Sequence, residues 1–146
     1  MSNINFKILF QKKSTEAVLP FRAGDDEVGW DLTLISIHKI IDENTIMFDT
    51  GIAVRPPKGF YTEIVPRSSI YKYGWMMANS IGIIDPTYRD TLKIVLVRIN
   101  PSAPDIQLPC RIAQLIVRQM SLITESEEVK ELDETYRKGG FGSTGT

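Results

Sequence analysis

Apolar and polar residues follow one another in short runs that predict strands. Strict alternation, typical of a half-buried strand, is clearest at residues 30–35 and 60–65. Nearly continuous apolar runs, typical of buried strands, occur at residues 92–99 and 112–117. We therefore predict strands at residues 6–10, 30–35, 45–54 with a break at 50–51, 60–65, 92–99 and 112–117.

Two segments depart from this pattern. Residues 68–74 predict one short helix, because a serine can cap its start and a glycine can end it. Residues 76–84 are mostly apolar but carry Asn79, Ser80 and Gly82 in the middle, which predicts a hairpin. Many short strands, regular Pro and Gly punctuation and almost no helix favour an all-β sandwich or barrel.

The composition is that of one ordinary globular domain. The chain has 146 residues, of which 42% are hydrophobic and 24% charged, and a formal net charge of −1. So small a charge attracts neither nucleic acid nor a membrane, and we expect no direct binding to either. Cys110 and His38 are the only cysteine and histidine, which excludes an intrachain disulfide and a His/Cys metal cluster. No signal peptide or long apolar segment is evident, so we expect a cytoplasmic protein.

The last ten residues contain four glycines, with Arg137 and Lys138 before them and Phe141 among them. Glycine-rich backbone can turn its N–H groups toward an anion, and a phenylalanine ring can stack on a base. A solvated, disordered tail is the alternative interpretation. We divide the chain into a β body, residues 1–131, and a mobile arm, residues 132–146, that orders when a phosphorylated ligand arrives.

Several charged residues stand at turns or strand starts, and each has two interpretations. Arg67 and the serines after it suit an anion at a helix start, but a salt bridge and a helix cap also explain them. Asp85 lies in a turn fixed by proline and is either a turn residue or a general base. Arg111 and Gln114 open a buried strand, and Asp31 follows a Gly-Trp pair. Each is ambiguous alone.

Five segments occur in a fixed order along the chain: Gly-Trp-Asp-Leu at 29–32, Pro-Arg-Ser-Ser at 66–69, residues 82–89, Arg-Ile-Ala-Gln at 111–114 and the glycine-rich residues 139–145. In this order they resemble the five motifs of the trimeric dUTP pyrophosphatase (dUTPase) family. The resemblance implies a jelly-roll-like β subunit, a homotrimer and active sites shared between subunits. It also implies hydrolysis of dUTP to dUMP and pyrophosphate with Mg²⁺ on the triphosphate. That reaction limits uracil incorporation into DNA and supplies dUMP for dTMP synthesis.

The resemblance further implies roles for individual residues. Asp85 would activate the water that attacks the α-phosphorus, and Asp31 would act on the Mg²⁺ ion indirectly, through water. Tyr88 would lie beneath the deoxyribose and leave no room for a ribose 2′-OH. The residues implied to bind uracil or deoxyribose are Asn79, Gly82, Ile84, Tyr88 and Phe141. The residues implied to bind phosphate are Arg67, Ser68, Ser69, Gln114, Arg137, Gly142, Ser143 and Thr144.

The chain departs from the family pattern at three places. Asp90 stands where the family usually has glycine, and residues 109–110 (Pro-Cys) replace a pair that commonly begins with glycine. Only Lys138 separates Arg137 from the glycine pair, one residue fewer than expected. Arg137 would then reach phosphate by a shifted path, or Lys138 would substitute for it as a point charge.

Two other functions compete with this interpretation. The dCTP deaminases share the Arg-Ser-Ser and Asp-Pro features, but they need a glutamate where this chain has Lys93. A non-catalytic protein that keeps the fold to bind a protein partner is the other alternative. Such a protein could dispense with Asp85 or with the arm, and this chain retains both.

Overall fold

The computed structural model describes residues 6–142, which form antiparallel strands and one short 3₁₀ helix. This arrangement confirms the prediction of an all-β fold. The 3₁₀ helix is Ile70–Tyr73. The strands of the described residues are β1 (Leu9–Lys12), β2 (Trp30–Leu34), β3 (Ser36–Asp42), β4 (Thr45–Asp49), β5 (Ile52–Arg55), β6 (Phe60–Pro66), β7 (Trp75–Met77), β8 (Gly82–Ile84), β9 (Lys93–Arg98) and β10 (Cys110–Gln119).

The strands form two four-stranded sheets and one two-stranded sheet. The first sheet has the order β2-β10-β6-β8, the second has the order β3-β4-β9-β7, and β1 pairs with β5. Apolar side chains of the two larger sheets pack together in one core, as expected for a sandwich. The most completely buried of these are Leu32, Leu34, Phe48, Ile64, Trp75, Ile94, Leu96, Ile112 and Leu115.

The predicted break at residues 50–51 is confirmed, and a buried threonine explains it. Both the hydroxyl and the N–H of Thr50 donate to the Leu92 carbonyl, at 2.8 and 3.1 Å. Gly51 has a positive φ of 68°, and a Cβ there would lie 2.9 Å from the Ile35 side chain. The turn between β4 and β5 therefore depends on a glycine and on a buried hydroxyl.

The predicted hairpin at residues 76–84 is wrong. β7 pairs with β9 in the second sheet, whereas β8 pairs with β6 in the first, so this segment crosses from one sheet to the other. The polar residues in its middle make the crossing, and Ser80 takes a positive φ of 58° there. Strand periodicity alone does not distinguish two paired strands from two strands that belong to facing sheets.

Three smaller differences concern element bounds. The first strand begins at Leu9 and continues through Lys12, later than the predicted 6–10. The predicted helix is a single 3₁₀ turn; Gly74 ends it in the left-handed conformation as expected, but Ser69 makes no side-chain capping hydrogen bond. β3 was not predicted, because all seven of its residues are exposed and they show no buried face.

Candidate active site

The middle position of β10 in the first sheet brings three of the sequence motifs together. Gln114 of β10 lies opposite Asp31 of β2 on one side and opposite Val65 of β6 on the other. β6 ends at Pro66, and the N–H of the next residue, Arg67, donates to the Ile112 carbonyl at 3.0 Å. We call the cluster of Asp31, Arg67, Arg111 and Gln114 the arginine end of the first sheet.

Charge pairing orders the arginine end. Asp31 Oδ1 lies 3.2 Å from Arg67 Nε, and its Oδ2 lies 4.0 Å from Arg111 Nη1. Arg67 Nη1 also donates to the Arg111 carbonyl at 2.9 Å. One carboxylate thus faces two guanidinium groups, so the cluster keeps an excess positive charge that suits an anion. The salt-bridge interpretation of Arg67 is therefore correct, and it is compatible with the phosphate role.

Gln114 is held in place at the same end. Its Nε2 donates to the Pro66 carbonyl at 3.2 Å. A Cβ at Gly29 would lie only 2.0 Å from Gln114 Oε1, so the glycine of the first motif leaves the space that this amide occupies. Ser68 is exposed and Ser69 is partly exposed beside Arg67, with Ile70 N–H closing the turn onto the Arg67 carbonyl at 3.0 Å.

Asp85 occupies the opposite end of the first sheet. It directly follows β8 and is exposed, and Tyr88 N–H donates to its carbonyl at 3.0 Å. Its side chain lines an open cleft of about 430 Å³ together with Tyr61, Ile83 and Met120. We call this cleft, with Asp85 at its edge, the aspartate end of the first sheet.

A buried glutamate that sequence reasoning missed supports the wall of this cleft. Tyr61 Oη donates to Glu63 Oε1 at 2.9 Å, and Arg118 Nε lies 2.8 Å from Glu63 Oε2. The hydrogen bond from Arg118 holds the pKa of Glu63 below its ordinary value, and the bond to Glu63 raises the pKa of Tyr61. A glutamate within the otherwise uncharged strand β6 was the available signal, since a buried charge requires a partner.

The two ends are far apart within one chain. In the register of β6 and β8, Thr62 faces Ile84 and Ile64 faces Gly82, so Asp85 falls beside Tyr61. Arg67 lies six residues further along from Tyr61, a distance of about 20 Å at the rise of an extended strand. One chain therefore does not bring Asp85 and Arg67 to a common phosphate.

The residues expected around the nucleoside lie between β7 and the turn after β8. Gly82 is buried and opposes Ile64, while Asn79 is exposed and its Nδ2 lies 3.5 Å from the position of a Gly82 Cβ. Ile84, the last residue of β8, is partly buried. Tyr88 is 37% exposed, and its hydroxyl donates to the Thr91 carbonyl at 2.8 Å, so its ring presents a face while its tip is anchored.

The described part of the arm is exposed along nearly its whole length. Phe141 is fully exposed with a positive φ of 52°, and Gly142 follows with a φ of 82°. Arg137 Nε donates to the Gly139 carbonyl at 2.8 Å, so this side chain bends back onto the arm. Ser143 and Thr144 lie outside the described residues. The last strand ends at Gln119, and the boundary at residue 132 stays a prediction.

The described residues constrain how a metal could bind. Among residues 6–142, no group of three or more His, Cys, Asp or Glu side chains could hold an ion. Asp31 is turned toward two guanidinium groups instead. These residues fit a magnesium ion held by substrate phosphates and water, which is how this ion is commonly bound.

Residues 6–142 contain no helix long and apolar enough to cross a membrane.

Comparisons with known proteins identify the family of this chain. A dUTPase family model matches residues 15–145. The deoxyuridine 5′-triphosphate nucleotidohydrolase of Hydrogenobaculum sp. (strain Y04AAS1) is 37% identical over 142 residues, which cover 95% of this chain and 98% of that protein. The protein of the same name from Escherichia phage T5 is 35% identical over 136 residues, covering 88% of this chain and 92% of its own.

A solved structure resembles the fold. A dUTPase variant from Staphylococcus bacteriophage 80alpha, in complex with dUpNHpp, superimposes with a TM-score of 0.79 and covers 96% of this chain and 99% of its own. Its sequence identity is 19%, so this likeness shows the fold alone. The family model and the curated relatives show more, because they match nearly the whole chain. The chain therefore belongs to the dUTPase family of enzymes.

Proposed function

We propose that this dUTPase hydrolyses dUTP to dUMP and pyrophosphate at a site completed by other copies of the chain. The observation that carries the proposal is the division of the first sheet into an arginine end, with Asp31 between two guanidinium groups, and an aspartate end with an exposed carboxylate. Each end has half of the groups that phosphoryl chemistry needs. The separation of about 20 Å supports a site whose halves come from different copies.

Asp85 is the proposed general base. Its exposed carboxylate takes a proton from a water molecule whose oxygen attacks the α-phosphorus. The bond from that phosphorus to the bridging oxygen breaks, pyrophosphate leaves, and dUMP carries the new oxygen. The turn closed by Tyr88 N–H on the Asp85 carbonyl fixes the backbone that carries the base.

The arginine end of a second copy is the proposed phosphate site. Arg67 supplies a guanidinium fork, Ser68 and Ser69 supply hydroxyls, and Gln114 supplies an amide for phosphate oxygens or for the attacking water. The ion pair with Asp31 orients Arg67 before the substrate arrives, which lowers the reorganisation needed during the reaction. Asp31 therefore has a supported role in orienting Arg67, besides its proposed indirect role in ordering metal-bound water.

The nucleoside is proposed to bind where β8 begins, on the same copy as Asp85. Asn79 and the backbone from Gly82 to Ile84 pair with the uracil edge, and such pairing rejects bases with the wrong edge. Tyr88 lies under the deoxyribose.

The arm of a further copy closes this proposed site. Phe141 stacks on uracil, and the other arm groups contact the outer phosphates: Arg137, Gly142, Ser143 and Thr144. Closure excludes bulk water, which strengthens the polar contacts inside. The proposed assembly is a homotrimer, as the family resemblance implies, and a ring of three copies would allow each half-site to face its complement.

Magnesium is proposed to enter with the triphosphate as part of the substrate, where it neutralises phosphate charge. We propose no direct coordination by a carboxylate, because the carboxylate of Asp31 already faces Arg67 and Arg111.

Deamination has no support in the geometry. Lys93 stands where a glutamate is required, and its Nζ lies 3.0 Å from Thr91 Oγ1. The proposed role of the reaction in the cell is to remove dUTP and to supply dUMP.

Pyrophosphate release from dUTP, UTP, dCTP and dTTP, measured side by side with Mg²⁺, tests this proposal. Release from dUTP at a rate far above the other three supports both the reaction and the roles of Asn79 and Tyr88. Comparable release from UTP would contradict the role of Tyr88. Release from none of them by folded protein would contradict catalysis and favour a binding function.

A further inference from the structure

Asp90 stands where the family resemblance leads one to expect glycine, and its carboxylate has two partners. Thr91 N–H donates to Asp90 Oδ1 at 2.7 Å, and Lys93 Nζ lies 3.5 Å from Oδ2. The bond from Thr91 N–H, and after it the charge of Lys93, hold the pKa of Asp90 below its ordinary value. The carboxylate therefore fixes the peptide that links residues 90 and 91.

Thr91 is also the residue that anchors Tyr88. The carbonyl of Thr91 accepts the hydroxyl of Tyr88 at 2.8 Å and faces Lys93 Nζ at 3.4 Å. Lys93 Nζ reaches Thr91 Oγ1 as well, at 3.0 Å, and Thr91 itself is buried. Asp90 and Lys93 thus hold Thr91 from two directions, and Thr91 holds the tip of the tyrosine ring.

The rest of the loop leaves the ring little freedom at its other end. Tyr88 N–H closes the turn onto Asp85, and Arg89 Nη1 donates to the carbonyls of Pro86 and Tyr88 at 2.6 and 3.0 Å. Leu92 N–H continues into the sheet through a 2.7 Å bond to the Ile52 carbonyl. The position of the ring is therefore set by the backbone turn at one end and by the Thr91 carbonyl at the other.

We infer that Asp90 and Lys93 are positioning residues that hold Tyr88 through Thr91 and thereby set the discrimination between deoxyribose and ribose. This inference rests on the proposed role of Tyr88 in the reaction. Exclusion of a 2′-OH by a ring depends on clearance, and misplacement by a fraction of an ångström weakens such a contact. Glycine at position 90 would remove the carboxylate and widen the backbone freedom of the loop.

The test compares kcat/KM for dUTP and UTP in the wild type, Asp90→Gly, Asp90→Asn and Lys93→Met. We expect Asp90→Gly to lower the dUTP/UTP ratio about three- to tenfold, which lies within the range for the net contribution of one ordinary hydrogen bond. Asp90→Asn keeps an oxygen that accepts Thr91 N–H and should stay within about twofold of the wild type. Lys93→Met should lower the dUTP/UTP ratio by at least about twofold. If Asp90→Gly does not fold, the ratio in Lys93→Met tests the inference on its own.

Asp42→Gly is the matched control. Asp42 Oδ1 accepts the N–H of Asn44 at 2.8 Å in an exposed turn, so the variant removes the same kind of bond and adds the same glycine at a different turn. We expect its melting temperature to fall as that of Asp90→Gly does, while its dUTP/UTP ratio stays at the wild-type value. A ratio that falls equally in both variants would reduce the role of Asp90 to general stability and overturn the inference.

A double variant shows whether the effect acts through the tyrosine tip. In a Tyr88→Phe background the hydroxyl bond to Thr91 is absent, so Asp90→Gly should change the ratio by less than about 1.5-fold. Fully additive effects would overturn the inference. An unchanged dUTP/UTP ratio in Asp90→Gly and Lys93→Met would also overturn the inference, but it would not contradict the proposed function. A wild-type protein without preference for dUTP would contradict both the inference and the proposed function.

Discussion

The two ends of the first sheet are built in different ways. At the arginine end, Asp31, Arg67 and Gln114 hold one another through ion pairs and hydrogen bonds to strand carbonyls. At the aspartate end, Asp85 is exposed in a turn, and the ordered network lies behind it, in Tyr61, Glu63 and Arg118. One end holds an excess of positive charge in an ordered cluster, and the other presents a carboxylate that is exposed to solvent.

This difference explains why a single sheet carries both halves without neutralising them. A carboxylate base placed beside two arginines would form an ion pair with them, as Asp31 does, and its oxygens would be turned toward the guanidinium groups and not toward a water molecule. About 20 Å of strand keeps Asp85 away from the guanidinium groups of its own chain. On our proposal, only substrate phosphates held between copies bring the two ends together.

The largest expected effect is that of Asp85→Asn, which removes the proposed base and changes little else. We expect kcat to fall about 10³-fold, within the range for loss of a general base, while KM for dUTP changes little. Steady-state kinetics and a dUTP-dependent shift in melting temperature measure the two quantities. Retained kcat with lost binding would contradict the assignment and place Asp85 in substrate binding.

Removal of residues 138–146 is expected to have the next largest effect. Without closure by Phe141, activity should fall about 10²-fold, because water enters and the arm contacts to phosphate are lost. The melting temperature should stay near that of the full chain, since the described arm is exposed along nearly its whole length. A matched variant, Phe141→Ala, should retain part of the activity, and full activity after truncation would refute the lid role.

Mixed assemblies test directly whether the two ends come from different copies. Arg67→Ala removes one transition-state donor and should lower activity about 10²-fold or more, as Asp85→Asn does for the base. After the two variants are unfolded and refolded together, random mixing in a ring should restore about a quarter of the wild-type activity. Each variant refolded alone is the control. No recovery in proven mixed trimers would mean that one chain supplies both ends.

The smallest expected effect concerns stability at the aspartate end. The pKa of Glu63 is lower in the folded protein than its ordinary value. The charge of Glu63 therefore stabilises the fold above the ordinary pKa, and this stabilisation is lost as the pH falls through the pKa of the folded state. Glu63→Gln should lower the melting temperature at pH 7 by about 3–6 °C, with a smaller difference at pH 3. Asp42→Asn is a control at an exposed carboxylate. An equal difference at both pH values would argue that packing, not charge, makes Glu63 important.

Local patterns predicted much of the fold because they report which side chains are buried. The turn at residues 50–51 and the central strands β6, β9 and β10 carry such patterns, and their positions were predicted to within a few residues. β3 has no buried face, so its position was not predictable from such patterns. The pairing of β7 and β8 depends on contacts distant in sequence, so it was not predictable from local patterns either. The register of β10 against β2 and β6 likewise brings Gln114, Asp31 and Arg67 together only in three dimensions.

The length of chain beyond the last strand has a kinetic consequence. Phe141 follows Gln119 by 22 residues, and a flexible tether of that length has a root-mean-square span of about 26 Å. Tethering of this kind gives an effective concentration on the order of a millimolar at any site within reach. On our proposal, Phe141 therefore needs only weak intrinsic affinity to cover a loaded site, and weak affinity lets it depart quickly. The proposed lid would then close often without slowing product release.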